Sequence, residues 1–232
     1  MSNFVFPPPA IPSAAVRGTE ARYAVSRIFC VGRNYADHAR EMGSDPTREP
    51  PFYFTKPASA LTPSGATVPY PSETKNYHYE MELVIAIGAP VFRVTPEAAR
   101  AAIWGYAAGL DMTRRDLQAV AKAGGKPWDT AKGFDQSAVL TDIARVSDVG
   151  LLEKGAITLS VNGVEKQRGD LADMIWSQAE IVSNLSHLYH LHPGDLIYTG
   201  TPAGVGAVVT GDVITGRIEG LGEITLTVGP AE

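Results

Sequence analysis

Cysteine is almost absent. Cys30 is the only one among 232 residues, so neither an intrachain disulfide nor a cysteine metal cluster can form. It lies in the apolar run Ile28-Phe29-Cys30-Val31, where a small buried hydrophobe is expected rather than a nucleophile. Basic runs are missing too, and 20 Lys and Arg against 25 Asp and Glu give a net charge of −5. Such a surface offers a phosphate backbone nothing to hold, which excludes nucleic acid as a partner. No apolar run is long enough to span a bilayer, and Met1-Ser2-Asn3-Phe4 lacks the basic-then-apolar start of a signal peptide. A cytoplasmic protein with no membrane partner is therefore expected. The glycine-rich stretch from Thr199 to Gly206 lacks the Lys-Ser/Thr ending of a phosphate loop and precedes strands, which excludes that mode of nucleotide binding. No internal repeat appears.

What is present fits a folded chain with ample core, 44% apolar and 19% charged. Residues 1–26 open with Pro7-Pro8-Pro9 and Pro12 and read as an extended arm that carries no core and could pack across a neighbour; 27–232 then form the main domain. Strands are expected at Arg27 to Val31 and Phe52 to Phe54, the latter closed by Lys56-Pro57, whose lysine is either solvated or turned into a pocket. Between them a helix is predicted from an Asn34 cap to a Gly43 stop, followed by a loop from Ser44 to Pro51. His38 and Glu41 stand three apart and so share a helical face, as a surface pair or as something more. Thr95-Pro96-Glu97 and Ser177-Gln178-Ala179-Glu180 mark two further helix starts, the second a capping box. Asn162-Gly163 marks a hairpin, and Lys126 to Asp135 reads as an ordered loop without helical period.

The stretch Asn76 to Gly88 reads as a strand entering the core. Glu80 and Glu82, two residues apart, leave the same face, either as a solvated pair or as carboxylates at a core margin whose repulsion a divalent cation would relieve. Oxygen-only ligands suit Mg²⁺, Mn²⁺ or Ca²⁺ rather than Zn²⁺. A small, apolar strand from Trp104 to Leu110 delivers Asp111 to the start of a helix capped by Thr113 and ended by Gly124-Gly125. There Asp111 is a dipole partner or a ligand, with Arg115 and Gln118 in reach of the same place. Two of His187, His190 and His192 share a helical face, but no carboxylate completes a metal set. The turn from Thr199 to Gly206 is either a tight turn or a cradle of amides and the Thr201 hydroxyl for a carboxylate.

In this order, Val31-Gly32-Arg33-Asn34-Tyr35-Ala36-Asp37-His38, Phe54-Thr55-Lys56-Pro57, His78-Tyr79-Glu80-Met81-Glu82, Leu110-Asp111-Met112-Thr113-Arg114-Arg115-Asp116, Lys126-Pro127-Trp128 through Ala131-Lys132 and Gly194-Asp195-Leu196 to Gly206 resemble the fumarylacetoacetate hydrolase family. The resemblance runs from about Arg27 to the C-terminus. It implies an α+β, β-rich fold, a mixed β-sandwich roll with a few short helices, normally a homodimer, that uses Mg²⁺ or Mn²⁺ held by Glu80, Glu82 and Asp111. The Phe4-Val5-Phe6-Pro7-Pro8-Pro9 arm, Arg40 to Pro46 with Pro50-Pro51-Phe52, and Lys126 to Asp135 resemble in particular the members that hydrolyse fumarylpyruvate in gentisate breakdown.

That resemblance implies hydrolysis of a C–C bond in a 2,4-dioxo acid, with His38 as general base, Glu41 orienting it, and Lys132 stabilising the oxyanion. Arg115, Gln118 and Thr201 would bind substrate, and Arg33, Lys56 or Arg114 the far carboxylate of a fumaryl group. The His38 helix and its following loop would act as a lid. Other acylpyruvases and oxaloacetate decarboxylases share this ligand set, and a non-catalytic binding module on the same fold is the alternative of another class.

Overall fold

The computed structural model describes residues 4–41 and 49–231. The predicted Gly43 stop and most of the loop from Ser44 lie outside them. The chain builds a mixed sheet in the order Phe52–Lys56, Arg27–Gly32, Asp195–Tyr198, Met81–Ile87, Ile103–Asp111, Ala138–Leu140, Leu61–Pro63, with Ala144–Arg145 also on Ile103–Asp111. A second sheet runs Val164–Asp170, Ala156–Val161, Val213–Ile218, Gly222–Ala231, Thr67–Tyr70. Most neighbours are antiparallel, but Asp195–Tyr198 runs parallel to Arg27–Gly32, Ala138–Leu140 parallel to Leu61–Pro63 and Thr67–Tyr70 parallel to Gly222–Ala231. This is the expected β-rich sandwich roll.

Every residue of Met81–Ile87 is buried, because both faces of the first sheet are covered. Met81, Leu83, Ile85 and Ile87 meet Ile157, Leu159, Ile214 and Leu226 of the second sheet in the main core. Val84 and Ala86 face the other way, with Ile28, Cys30, Leu196 and Tyr198, into a second core. Strand alternation therefore puts Glu82 on the face of Val84 and Asp111 on the face of Ala107, at adjoining strand ends. The second core is closed by a hairpin of Ser13–Ala15 and Arg22–Ala24, with Ala14, Val16, Tyr23 and Val25 buried. A stretch expected to carry no core thus contributes to one; the prolines end at Pro12, and the alternation after it is apolar enough to pack. Ahead of it Phe4, Val5, Phe6 and Ile11 are exposed.

The Thr95 cap, the Ser177/Glu180 capping box and the Asn162-Gly163 turn, both residues at positive φ, stand as predicted. Two predicted caps do not. Thr113 donates its hydroxyl proton to the Asp111 carbonyl, and Arg115–Ala123 starts without a side-chain cap. Asn34, fully buried, instead ties three strand and loop ends together. Its amide donates to the carbonyls of Trp176 and Thr199 at 3.0 and 2.8 Å, and its carbonyl accepts from Trp176 N–H at 2.7 Å. Long-range partners outcompeted the local cap.

Candidate functional site

Glu80 falls between Tyr77–Tyr79 and Met81–Ile87, where the chain changes sheets. Its carbonyl accepts the Asp111 N–H at 2.9 Å, which locks the two segments in register. One carboxylate oxygen from each of Glu80, Glu82 and Asp111 lies within 4.8 Å of the others, all three side chains buried. Among the described residues this is the only such group of His, Cys, Asp and Glu side chains. Of the three histidines near the Gln178–Leu188 helix, His190 stacks between Phe92 and His192 instead.

Three cations touch two of these three carboxylates. Lys132 Nζ bridges Glu80 Oε2 at 2.6 Å and Asp111 Oδ2 at 2.7 Å, Arg115 donates to Glu80 Oε1, and Lys56 Nζ lies 2.8 Å from Asp111 Oδ1. Burial alone would raise the Glu80 pKa, but Lys132, Arg115 and His38 outweigh it and hold the group well below the usual carboxylate range. Burial would likewise discharge Lys132, yet Asp111 and Glu80 push its pKa up, so it stays an ammonium. Glu82 has no such partner. Its carboxyl is pushed well up by burial, then by the charges of Asp111 and Glu80, against the more distant charge of Lys132 and one hydrogen bond from Gly200 N–H at 2.8 Å.

The donor set suits a hard divalent ion. The hydrogen bonds of Lys56 go to the carbonyls of Met112 and Lys132, and the buried Asp111 Oδ1, though ion-paired with Lys56, accepts no hydrogen bond, as a ligand oxygen would be. Since three cations already match the three carboxylates, a bound divalent ion would leave the inner site positive. The opposite follows from the carboxylates alone, and a positive site suits an anionic substrate.

Facing this cluster is a cleft lined by Arg33, His38, Phe52, Phe54, Arg115, Gln118, Lys122, Trp128, Lys132 and Thr201 beside Glu80 and Glu82. His38 is buried on the Ala36–Glu41 helix with Nδ1 3.2 Å from Glu41 Oε2. An ionised carboxylate only accepts, so Nδ1 carries the proton and Nε2 is the basic nitrogen. Gly204 N–H donates to Glu41 in turn, at 3.1 Å, while Gly200 N–H of the same turn holds Glu82. The glycine-rich turn does cradle carboxylates, but they are the protein's own. Thr201 accepts from Gln167 Nε2 at 2.8 Å, which leaves its hydroxyl proton for the cleft.

Gly200 sits at φ +99, and a Cβ there would lie 2.7 Å from that of Asn34. Gly200→Ala is accordingly expected to cost about 2–3 kcal/mol, a fall in Tm on the order of 5–10 °C, readable by calorimetry.

Two of the residues named for the far carboxylate are elsewhere. Lys56 lies beneath Asp111, fully buried in its ion pair, and does not line the cleft. Arg114 points to the opposite side, over the Phe134 ring and towards the Thr130 carbonyl, lining a separate hollow with Tyr70 and Tyr77. Arg33 is at the cleft. Lys122 was not foreseen, although Arg115, Gln118 and Lys122 follow the helical spacing of one face. Nor was the Asp129–Lys132 turn of helix that carries Lys132 inward, in a stretch expected to be irregular.

The family profile of the C-terminal region of fumarylacetoacetate (FAA) hydrolase matches residues 27–229. A fumarylpyruvate hydrolase from Ralstonia sp is 58% identical over 188 residues, 81% of this chain and 97% of that protein. An oxaloacetate tautomerase from Escherichia coli K12 is 40% identical over 205 residues, 88% and 93% of the two chains. The crystal structure of fumarylpyruvate hydrolase from Pseudomonas aeruginosa in complex with Mn²⁺ and pyruvate has a TM-score of 0.96 at 50% identity, over 98% of this chain and 100% of that one. With an acidic triad able to hold a metal ion at the foot of its cleft, the chain belongs to the fumarylacetoacetate hydrolase family.

Proposed function

We propose that this protein hydrolyses 3-fumarylpyruvate to fumarate and pyruvate. The observation that carries it is the meeting, in one cleft, of a buried acidic triad with a histidine aligned by a carboxylate. Kinship with fumarylpyruvate hydrolases supports the acyl group.

Glu80, Glu82 and Asp111 would hold Mg²⁺ or Mn²⁺, with Ca²⁺ also matching the donors. Bound there, the ion supplies Lewis acidity for the negative charge of the leaving pyruvate enolate. Arg115, fixed by Glu80 and Gln118, and the Thr201 hydroxyl bind the 2-oxo acid end. His38 Nε2 takes a proton from water as the water oxygen bonds to the fumaryl carbonyl carbon. Lys132 stabilises the resulting oxyanion, a contribution of about 3–4 kcal/mol for a preorganised donor. Collapse of the oxyanion breaks the C–C bond. Its electron pair passes to the pyruvate fragment, whose enolate carbon takes the proton held by His38, restoring the base, while fumarate departs.

The test is a panel of 2,4-dioxo acids differing at the acyl end, assayed for pyruvate release with Mg²⁺ and Mn²⁺. Fumarylpyruvate should be cleaved with the highest kcat/KM, and absence of pyruvate release from all of them rejects the proposal. Chelator should also lower Tm and Mg²⁺ restore it, a stabilisation of about 2.7 kcal/mol at one hundred times Kd.

Kinship with the oxaloacetate tautomerase favours a second reading in which the same site enolises oxaloacetate without an attacking water. No helix among the described residues is long and apolar enough to cross a membrane. The family resemblance supports a cytoplasmic homodimer acting in gentisate catabolism, and light scattering tests the dimer.

A further inference from the structure

The cations around the cleft fall into two sets. Lys56, Arg115 and Lys132 each touch Glu80 or Asp111. Arg33 and Lys122 also line the cleft, and among the described residues neither has a carboxylate partner. They arrive from different elements, Arg33 just after the Arg27–Gly32 strand and Lys122 near the end of the Arg115–Ala123 helix. Arg33 is held at φ +58, in the left-handed region a non-glycine residue seldom occupies. Its guanidinium lies 5.4 Å from the centre of the Phe52 ring.

Aromatic rings line the same cleft. Trp128 packs edge-on against Phe52 at 5.3 Å and tilted against Phe54 at 5.6 Å. Phe52 in turn packs onto Gly32, where a Cβ would fall 1.9 Å from its ring. Only glycine lets that ring lie so close to the backbone.

We infer, on the hydrolase reading above, that Arg33 and Lys122 form a distal anion site which, with Phe52, Phe54 and Trp128, selects flat unsaturated acyl groups ending in a second carboxylate. Both side chains are exposed, so a neutral acyl end leaves them to water and simply forgoes the charge-assisted contacts that a second carboxylate would make. A lysine in the last turn of a helix also complements the helix dipole while staying solvated. That bland role predicts no dependence on the acyl end.

The experiment compares wild type, Lys122→Met, Lys122→Arg and Arg33→Met. It measures kcat/KM for pyruvate release from fumarylpyruvate and from acetylpyruvate. It also measures, by calorimetry with Mg²⁺ present, the binding of fumarate and of crotonate, which carries a methyl group in place of the second carboxylate. The wild type should prefer fumarylpyruvate to acetylpyruvate and fumarate to crotonate. Lys122→Met and Arg33→Met should each reduce both preferences roughly tenfold or more, through KM, and Lys122→Arg should keep them. Wild type without either preference, or preferences that survive both methionine variants, would overturn the anion site. Pyruvate release without such preferences rejects the anion site and leaves the hydrolase standing. Selective fumarate binding that the methionine variants lose, with no pyruvate release from any substrate, does the reverse.

Discussion

His38→Ala should lower pyruvate release from fumarylpyruvate by about 10²- to 10⁴-fold, the usual worth of a positioned general base, while Mg²⁺ still raises Tm. The two readouts separate because His38 belongs to the helix on one side of the cleft and the triad to the sheet on the other. Alanine removes the basic nitrogen without touching an acidic ligand. Glu41→Gln should give a smaller loss. The amide can still meet Nδ1–H through its oxygen, but it no longer stabilises the imidazolium that forms when His38 takes the proton. A small change in kcat/KM for His38→Ala would mean that water is activated elsewhere. Enolisation of oxaloacetate needs no attacking water, so a variant that loses hydrolysis and keeps enolisation would place both chemistries on one site.

The faces of Glu82 and Asp111 were legible because both sit on strands whose patterns are local, whereas Glu80, expected on the same strand as Glu82, falls between two strands, and the three as one ligand set came from the family resemblance. The alternation around Glu82 and the apolar run before Asp111 fix their faces, and adjacency follows once the strands pair. The sandwich followed from the resemblance. The cations beneath the triad were not legible in the same way. Lys56 ends a strand at a position where lysine is usually solvated, and only the pairing of Ile28 with Lys56 reveals that it faces the second core. Arg114 and Arg115 are neighbours in sequence, and whichever of them reaches Glu80 depends on where the helix begins. Thr113, taken as its cap, bonds to Asp111 instead. Asn34 was misread for a related reason. Its partners lie more than 140 residues away, at Trp176 and Thr199, and no window on the sequence contains them.

Glu82→Gln and Asp111→Asn should both abolish turnover, by about 10³-fold or more if the ion stabilises the enolate by several kcal/mol. Both should also lose the Mg²⁺-induced rise in Tm. In metal-free protein, however, they should move stability in opposite directions. Asp111 is fully buried against Lys56 and Lys132. Asparagine leaves Lys56 without a counter-charge and Lys132 with Glu80 alone, and breaking a buried pair of this kind costs about 3–5 kcal/mol. Glu82 is the member no cation touches, and burial with the charges of Asp111 and Glu80 already disfavours its ionised form. Glutamine removes that repulsion and keeps an oxygen for the Gly200 amide, so Tm in chelator should hold or rise. Denaturant melts of both variants in EDTA check the signs. Equal destabilisation would show that Glu82 is paired as strongly as Asp111, and the division of the triad into two compensated carboxylates and one uncompensated carboxylate would then fail.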